Sequence, residues 1–363
     1  MEIMNRTLWT EFILLGLLTH TVTHTIFFGV ILLIYFVALL GNSLFFFVII
    51  TGSYSRVPMY FFLSQLSFID ICQTSSIVPK MSMDFWNKGN TISLAGCGTQ
   101  IFFTFMMGGA ECLLLTVMSY DRYVAICKPL HYPVLMNRRV CVTMSGGVWF
   151  GAVFHSLVHT FCVLQLPFCE SNRVNQFFCT VQALLKLSCS ETSTYENLFF
   201  LAGSILLLAP FSIILASYIT ILLTVLGMQS VEGRHKAFGT CLSHLCVVGL
   251  FYGAASFKYM RPRSYRTPEQ DKVASLFCDI VTPMLNPLIY SLRNRDVLVE
   301  LRKHVLKSAA APPDALSPLT GQLHGEAGGG SGDLCITKPV QQQIWKRSCA
   351  THTCAGGGSG TGR

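Results

Sequence analysis

Seven stretches of the chain run long enough without basic residues to cross a lipid bilayer, and the few charges inside them are acidic. Residues 12–55, 140–169, 197–231 and 237–257 contain no Asp, Glu, Lys or Arg. Residues 57–78, 89–120 and 273–292 each contain one carboxylate, Asp70, Glu111 and Asp279 respectively. A helix needs about 20 apolar residues to cross about 30 Å of hydrocarbon, where no water satisfies exposed backbone groups. The pattern predicts an all-α fold, a seven-transmembrane helical bundle. Loops are short except for residues 164–196, which mix Pro167, cysteines and charges and are expected to fold over one mouth of the bundle. The brief connection at 227–236 makes the fifth and sixth helices antiparallel neighbours. Further on, Val297, Leu298, Leu301, Val305 and Leu306 share one helical face, with Arg302, Lys303 and Lys307 between them. That spacing predicts a short amphipathic eighth helix lying on the membrane surface. Residues 1–307 then form the seven-transmembrane domain, and residues 308–363 a Gly-rich tail too poor in apolar groups to order itself.

Composition agrees with the pattern. A chain of 363 residues that is 52% hydrophobic and 12% charged, with mean hydropathy +0.51, cannot hide its apolar surface in one soluble core. The first stretch lacks a basic leader and a small-residue cleavage site, so it is expected to remain as the first span. The formal charge of +8 would suggest nucleic acid for a soluble protein. Here the basic residues sit in short loops beside lipid headgroups, and no nucleic-acid partner is expected.

Loop charges barely set the orientation. With the first helix starting outside, Arg122, Lys128, Arg138 and Arg139 fall inside, while Lys258, Arg261 and Lys272 fall outside. Two other features favour an extracellular N-terminus and a cytoplasmic C-terminus at the plasma membrane. Asn5-Arg6-Thr7 is a glycosylation sequon, usable at Asn5 only on the lumenal side. Cys97, Cys169, Cys179 and Cys189 cluster on that same face, which suggests two disulfides, with three pairings open. Cys72, Cys112, Cys246 and Cys278 read as small buried apolar residues of the spans. Cys335, Cys349 and Cys354 near His352 fit no zinc spacing. No nucleophile, base and oxyanion-hole motif occur together, so the chain is not read as an enzyme.

The ends of two spans carry the sharpest motifs. Asp121-Arg122-Tyr123 closes the third, and Asn286-Pro287-Leu288-Ile289-Tyr290 closes the seventh. Both together, in the right helices among seven, resemble a rhodopsin-like G-protein-coupled receptor. Longer motifs narrow this. Pro58-Met59-Tyr60-Phe61-Phe62-Leu63-Ser64, the run from Met118 to Leu130, Lys236-Ala237-Phe238-Gly239-Thr240-Cys241 and Pro283-Met284-Leu285-Asn286-Pro287 all resemble signatures of vertebrate odorant receptors. The chain departs from the family at Ser119, Gly239 and Cys278-Asp279, and the tail beyond Ser308 is foreign to it.

The resemblance implies a receptor for small, volatile, mostly apolar odorants, coupled to a heterotrimeric G protein of the olfactory stimulatory type and to cyclic AMP in the sense of smell. Arg122 would pair with Asp121 at rest and contact the G protein when released. Tyr123, Tyr218, Asn286, Pro287 and Tyr290 complete the switch, with Pro287 as a soft point in the seventh helix. Asp70 and Glu111, expensive in a bilayer centre, should face the bundle interior. With Asn42 and Asn286 they form a polar centre that holds either sodium in the resting state or a shared proton and water network.

The ligand pocket implied by the resemblance lies in the outer half of the third, fifth, sixth and seventh helices. Phe105, Gly108, Gly109 and Cys112 share one face of the third helix, and Tyr252, Ala255, Ser256 and Tyr259 one face of the sixth. Asp279 is placed at the cavity floor, where a free carboxylate would favour an amine; the alternative puts it, protonated, in the central network. Burying about 250 Å² of apolar ligand surface gives about 6 kcal/mol, a Kd of some tens of micromolar. A transporter or channel would need repeated halves, which the spans lack. A product silenced by its C-terminus is the remaining alternative.

Overall fold

The computed structural model describes residues 9–17, 21–52, 57–87, 89–169, 171–261 and 267–293. Asn5, the expected eighth helix and the tail from Ser308 lie outside the described residues. Among the described residues, seven helices are long and apolar enough to cross a membrane. In chain order they are Thr21–Thr51, Pro58–Asn87, Leu94–Cys127, Arg138–Leu164, Ser193–Leu226, Val231–Tyr259 and a seventh assembled from three pieces. The seventh runs from Pro268–Leu276 through a π-helical turn, Phe277–Val281, into Thr282–Arg293.

The sequence marks where these helices begin. Ser93, Asn137, Ser230 and Thr267 stand at N-caps and accept hydrogen bonds from the backbone N–H of Gly96, Val140, Gly233 and Gln270. Each cap satisfies a donor that the helix itself cannot. Hydroxyls on the outer surface are satisfied inside their own helix. Exposed Thr51, Ser212 and Thr220 donate to the carbonyls of Phe47, Leu208 and Ala216 at 2.7, 2.7 and 2.9 Å. Ile26, Leu33, Leu40 and Phe47, seven residues apart on the first helix, are exposed. Such a stripe is stable against hydrocarbon and costly against water.

The third helix is the hub. It touches the second, fourth, fifth and sixth, while the first packs on the second and seventh and the fifth on the sixth. Leu114, Leu115 and Met118 of the third helix are fully buried, as are Phe62 and Ile69 of the second. Small residues allow close approach where the third helix meets the fourth: a Cβ on Gly109 would lie 3.7 Å from the Cα of Ala152.

The long connection over residues 164–196 covers one end of the bundle as its length and cysteines predict, but a small sheet joins it there that the hydrophobic pattern does not predict. The charge-free run from residue 12 predicted helix, but Glu11–Leu14 is a strand, β1. It pairs antiparallel with β2, Thr91–Ser93, and parallel with β3, Arg173–Val174, in the order β2-β1-β3. Phe12 and Leu14 point inward and Glu11 outward, the two-residue alternation of a half-buried strand. Phe12 meets Phe168 edge to face at 5.2 Å. Gly16, at φ 74°, then turns the chain before the first helix. Of the three open pairings, the structure forms Cys97–Cys179 and Cys169–Cys189. The long connection between the fourth and fifth helices is thereby held over this end, together with a short helix at Val181–Leu185.

Candidate functional site

A cavity of about 520 Å³ opens under the disulfide-bonded cap. Among the residues singled out in the sequence, Phe105, Gly108, Gly109 and Cys112 of the third helix line it, with Ala255 and Tyr259 of the sixth and Asp279 of the seventh. Two do not. Tyr252 is buried against Phe211 at 5.0 Å, with its hydroxyl 3.3 Å from the Cys112 sulfur, so it packs behind the wall. Ser256 also stands off the wall. Helical spacing gives a shared face but not its rotation against the cavity, and these two positions are where that difference shows.

Other lining residues had no signal in the motifs. Phe199, Phe200 and Leu206 of the fifth helix resemble any apolar span positions, and Gln73 of the second is one of several uncharged polar residues in its span. His155 of the fourth did have a signal: with His159 it forms a polar pair four residues apart in an otherwise apolar span. Cys112 is buried, Cys72 and Cys278 are half-buried and Cys246 is exposed, so the expectation of uniformly buried thiols is corrected at the last.

The environment of Asp279 corrects the reading of a free carboxylate. Lys258 Nζ lies 2.6 Å from Asp279 Oδ2, and Gln73 Nε2 donates to Oδ1 at 3.0 Å. Lys258 and Asp279 are only 7% and 2% exposed. The sequence places Lys258 in an outer loop, because its charge ends the apolar run 237–257. The sixth helix instead continues through Tyr259, so this ammonium is inside the bundle. It also stands 5.7 Å from the Phe178 ring and 5.2 Å from that of Tyr259, within cation–π range. Asp279 sits within the π-turn, whose extra residue re-aims side chains locally.

The floor of the cavity leads to the bundle's polar centre. Glu111 lines the cavity and accepts from Asn286 Nδ2 at 3.3 Å, while the same amide donates to both Asp70 oxygens at 3.1 Å. Asn42 donates to the carbonyls of Ala38 at 3.0 Å and Pro283 at 2.9 Å. Asp70, Glu111, Asn42 and Asn286 are all buried. No group of three or more His, Cys, Asp or Glu residues able to hold a metal occurs among the described residues.

At the opposite end from the disulfides, Asp121 Oδ1 accepts from the Tyr132 hydroxyl at 2.8 Å. Tyr132 belongs to the short helix after the third, Tyr132–Leu135. Burial and then the charge of Asp121 push its phenol pKa up, which keeps it the donor. Among the described residues no ion pair joins Asp121 to Arg122, contrary to expectation. Adjacent side chains on a helix diverge by about 100°, and Tyr132 reaches the carboxylate first. Tyr218 meets His244 Nδ1 at 2.7 Å. Tyr123 and Tyr218 each pack against the buried cluster of Ile126, Ile221, Val225 and Cys241, and the hydroxyl of buried Tyr290 has no hydrogen-bond partner among the described residues. Pro287 abuts the first helix, where a Cβ on Gly41 would come within 3.2 Å of its ring.

Among the described residues, seven helices long and apolar enough to cross a membrane, with a cavity under a disulfide-bonded cap at one end, are the architecture of a multi-pass membrane protein. The family model for olfactory receptors matches residues 31–308. Human olfactory receptor 2AJ1 is 50% identical over 84% of this chain and 92% of its own length. Human olfactory receptor 2V1 is 49% identical over 82% and 95%, and human olfactory receptor 2T1 50% identical over 81% and 80%. The chain belongs to the olfactory receptor family, whose members are signalling receptors rather than enzymes.

Proposed function

We propose that the cavity takes up small, mostly apolar volatile odorants and that its occupancy is relayed to a heterotrimeric G protein of the olfactory stimulatory type, raising cyclic AMP. The observation that carries this reading is Glu111, which faces the cavity and shares Asn286 with Asp70. Asn286 belongs to the Asn-Pro-Leu-Ile-Tyr run, so one hydrogen-bonded cluster touches both the ligand space and the helix that carries Tyr290. A ligand shifts such a system only by binding its two arrangements unequally. The disulfide end faces the extracellular side in this reading, because disulfides persist in oxidising compartments. Asn5 then lies where it can be glycosylated, and Arg122 lies where the G protein docks.

The reading extends to the resident ion. The Oδ1 atoms of Asn42 and Asn286 are buried with no hydrogen-bond partner among the described residues. With the carboxylates of Asp70 and Glu111 they supply an all-oxygen donor set suited to a hard cation such as sodium. The ion would supply positive charge beside the two carboxylates, and Asn286 would orient both. A shared proton is the competing way to hold two neighbouring carboxylates.

Cells expressing the receptor with a cyclic-AMP reporter and surface staining test the main reading against a broad odorant panel. At least one odorant should raise cyclic AMP, and Arg122→Ala should abolish the rise at equal surface amount. Removal of residues after Lys307 should leave the half-maximal concentration unchanged. A surface-exposed receptor silent to every odorant class, tail present or absent, refutes it.

A further inference from the structure

The inference concerns how occupancy of the cavity is transmitted and rests on the odorant reading above. Two ion pairs join the outer ends of the sixth and seventh helices, and in both the base comes from the sixth-helix side and the acid from the seventh. Lys258 pairs with Asp279 at 2.6 Å, with both side chains nearly water-free. Arg261, just past the end of the sixth helix, pairs with Asp271 in the first segment of the seventh and donates to its neighbour Gln270 at 2.7 Å. The Arg261 guanidinium also lies 4.3 Å from the Phe257 ring, which holds it against its own helix. Arg261, Asp271 and Asp279 all line the cavity, so both pairs border it.

Among the described residues, the apolar clusters divide at this joint. In the outer half of the seventh helix, Leu276 and Ile280 pack with Phe28, Ile31 and Phe178. In the outer half of the sixth, Ala255, Tyr259 and Met260 belong to a different cluster, which includes Met107 and Leu207. The inner half is joined otherwise, since Ile289 and Tyr290 of the seventh helix share that second cluster with Val247 and Val248 of the sixth. The outer joint therefore rests on charge. An apolar contact can slide, whereas a desolvated ion pair is directional and strands two bare charges if it opens.

We propose that the two pairs yoke the outer ends of the sixth and seventh helices into one moving part, closed at rest and during signalling, so that an odorant pressing on either helix displaces both. A ligand can open a pair only with the difference between its affinities for the closed and open arrangements. Binding at a Kd of some tens of micromolar leaves too little for separating a buried pair. The sixth helix carries the lining residues Ala255 and Tyr259, and the seventh carries Asn286, which donates to Asp70 and Glu111. Through the yoke, contacts made on the sixth helix reach that polar cluster.

The test uses the partly exposed pair, whose loss leaves no fully buried charge, in full-length receptor at the cell surface with a panel of medium-chain alcohols, aldehydes, ketones, esters and amines. Arg261→Asp or Asp271→Arg alone sets like charges across the seam and should raise the half-maximal concentration of the active odorants about fivefold or more at equal surface amount. The double exchange should restore it. In the Arg261→Cys/Asp271→Cys double variant, a bis-methanethiosulfonate reagent with the span of an Arg–Asp pair should crosslink the resting receptor and leave its odorant-driven cyclic-AMP maximum intact, with the two single cysteine variants treated alike as controls. Loss of the response in the crosslinked receptor, with both controls responsive, shows that the pair must open and overturns the inference. So does a resting receptor that does not crosslink, or single charge reversals that respond as wild type does. Each of these leaves the odorant reading intact, whereas silence of wild type to the whole panel removes both.

Discussion

At the scale of single residues, the Lys258–Asp279 pair sets the strongest constraint on the cavity. Both charges are nearly water-free, and their attraction offsets the loss of hydration only while both are present. Lys258→Met or Asp279→Asn alone leaves an uncompensated charge, or an ammonium facing only Gln73 and aromatic faces. Each single change is expected to cost about 3–5 kcal/mol, seen as a lower melting temperature of purified receptor and less protein at the surface. The double variant should recover most of that loss, since an apolar or neutral pair has no charge to strand. Additive single effects in the cycle would show that the two side chains do not depend on each other.

At the scale of elements, the contact between the first and seventh helices depends on a missing side chain. A Cβ at Gly41 would come within 3.2 Å of the Pro287 ring, whereas one at Gly108 would meet nothing within 4 Å because it faces the cavity. Gly41→Val should therefore lower stability by about 1–3 kcal/mol through overpacking, while Gly108→Val should leave stability nearly unchanged and narrow the ligand range. Thermal melting of the two variants beside wild type checks this; equal losses would mean that both sites are packed alike. The seven spans were legible because charge is so costly in hydrocarbon that its absence over such runs has few other meanings. The same rule failed where apolar residues serve another element. Phe12 and Leu14 continue the first charge-free run, yet they belong to a strand whose partners lie some 80 and 160 residues away, roughly as far as local pattern reading can fail. Lys258 failed in the opposite direction, since a charge at a helix end reads as a loop until its buried partner is known. For the cavity, the third-helix face was legible from spacing, but Tyr252 and Ser256 were not separable from Ala255 and Tyr259 without the rotation of the sixth helix. His155 and His159 are four residues apart in the sequence, and only the rotation of the fourth helix shows that His155 lines the cavity and His159 does not.

At the scale of the whole molecule, the proposed relay between the two ends would run through a cluster small enough to test with one change. Asn286 donates to Asp70 and to Glu111, and Glu111 faces the cavity while Asn286 itself does not. Removing the amide should thus leave the ligand space formed but disconnect it from the helix end bearing Tyr290. Linkage requires that a ligand acting on the far end do so through an element that both sites bias, and the proposal assigns that part to the seventh helix, which contains the π-turn and Pro287. Asn286→Ala is expected to reduce the odorant-driven cyclic-AMP maximum roughly tenfold or more, the scale of a coupling of about 1–3 kcal/mol, while binding of a labelled odorant to membranes changes little. The same change removes one of the oxygen donors assigned to sodium, so a sodium-dependent rise in melting temperature should appear in wild type and vanish in the variant. Loss of binding in step with loss of signal would place Asn286 in the pocket's own framework instead, and a signal untouched at equal expression would show that coupling runs by another route. A sodium effect absent from wild type would leave the shared proton as the means by which Asp70 and Glu111 stay together.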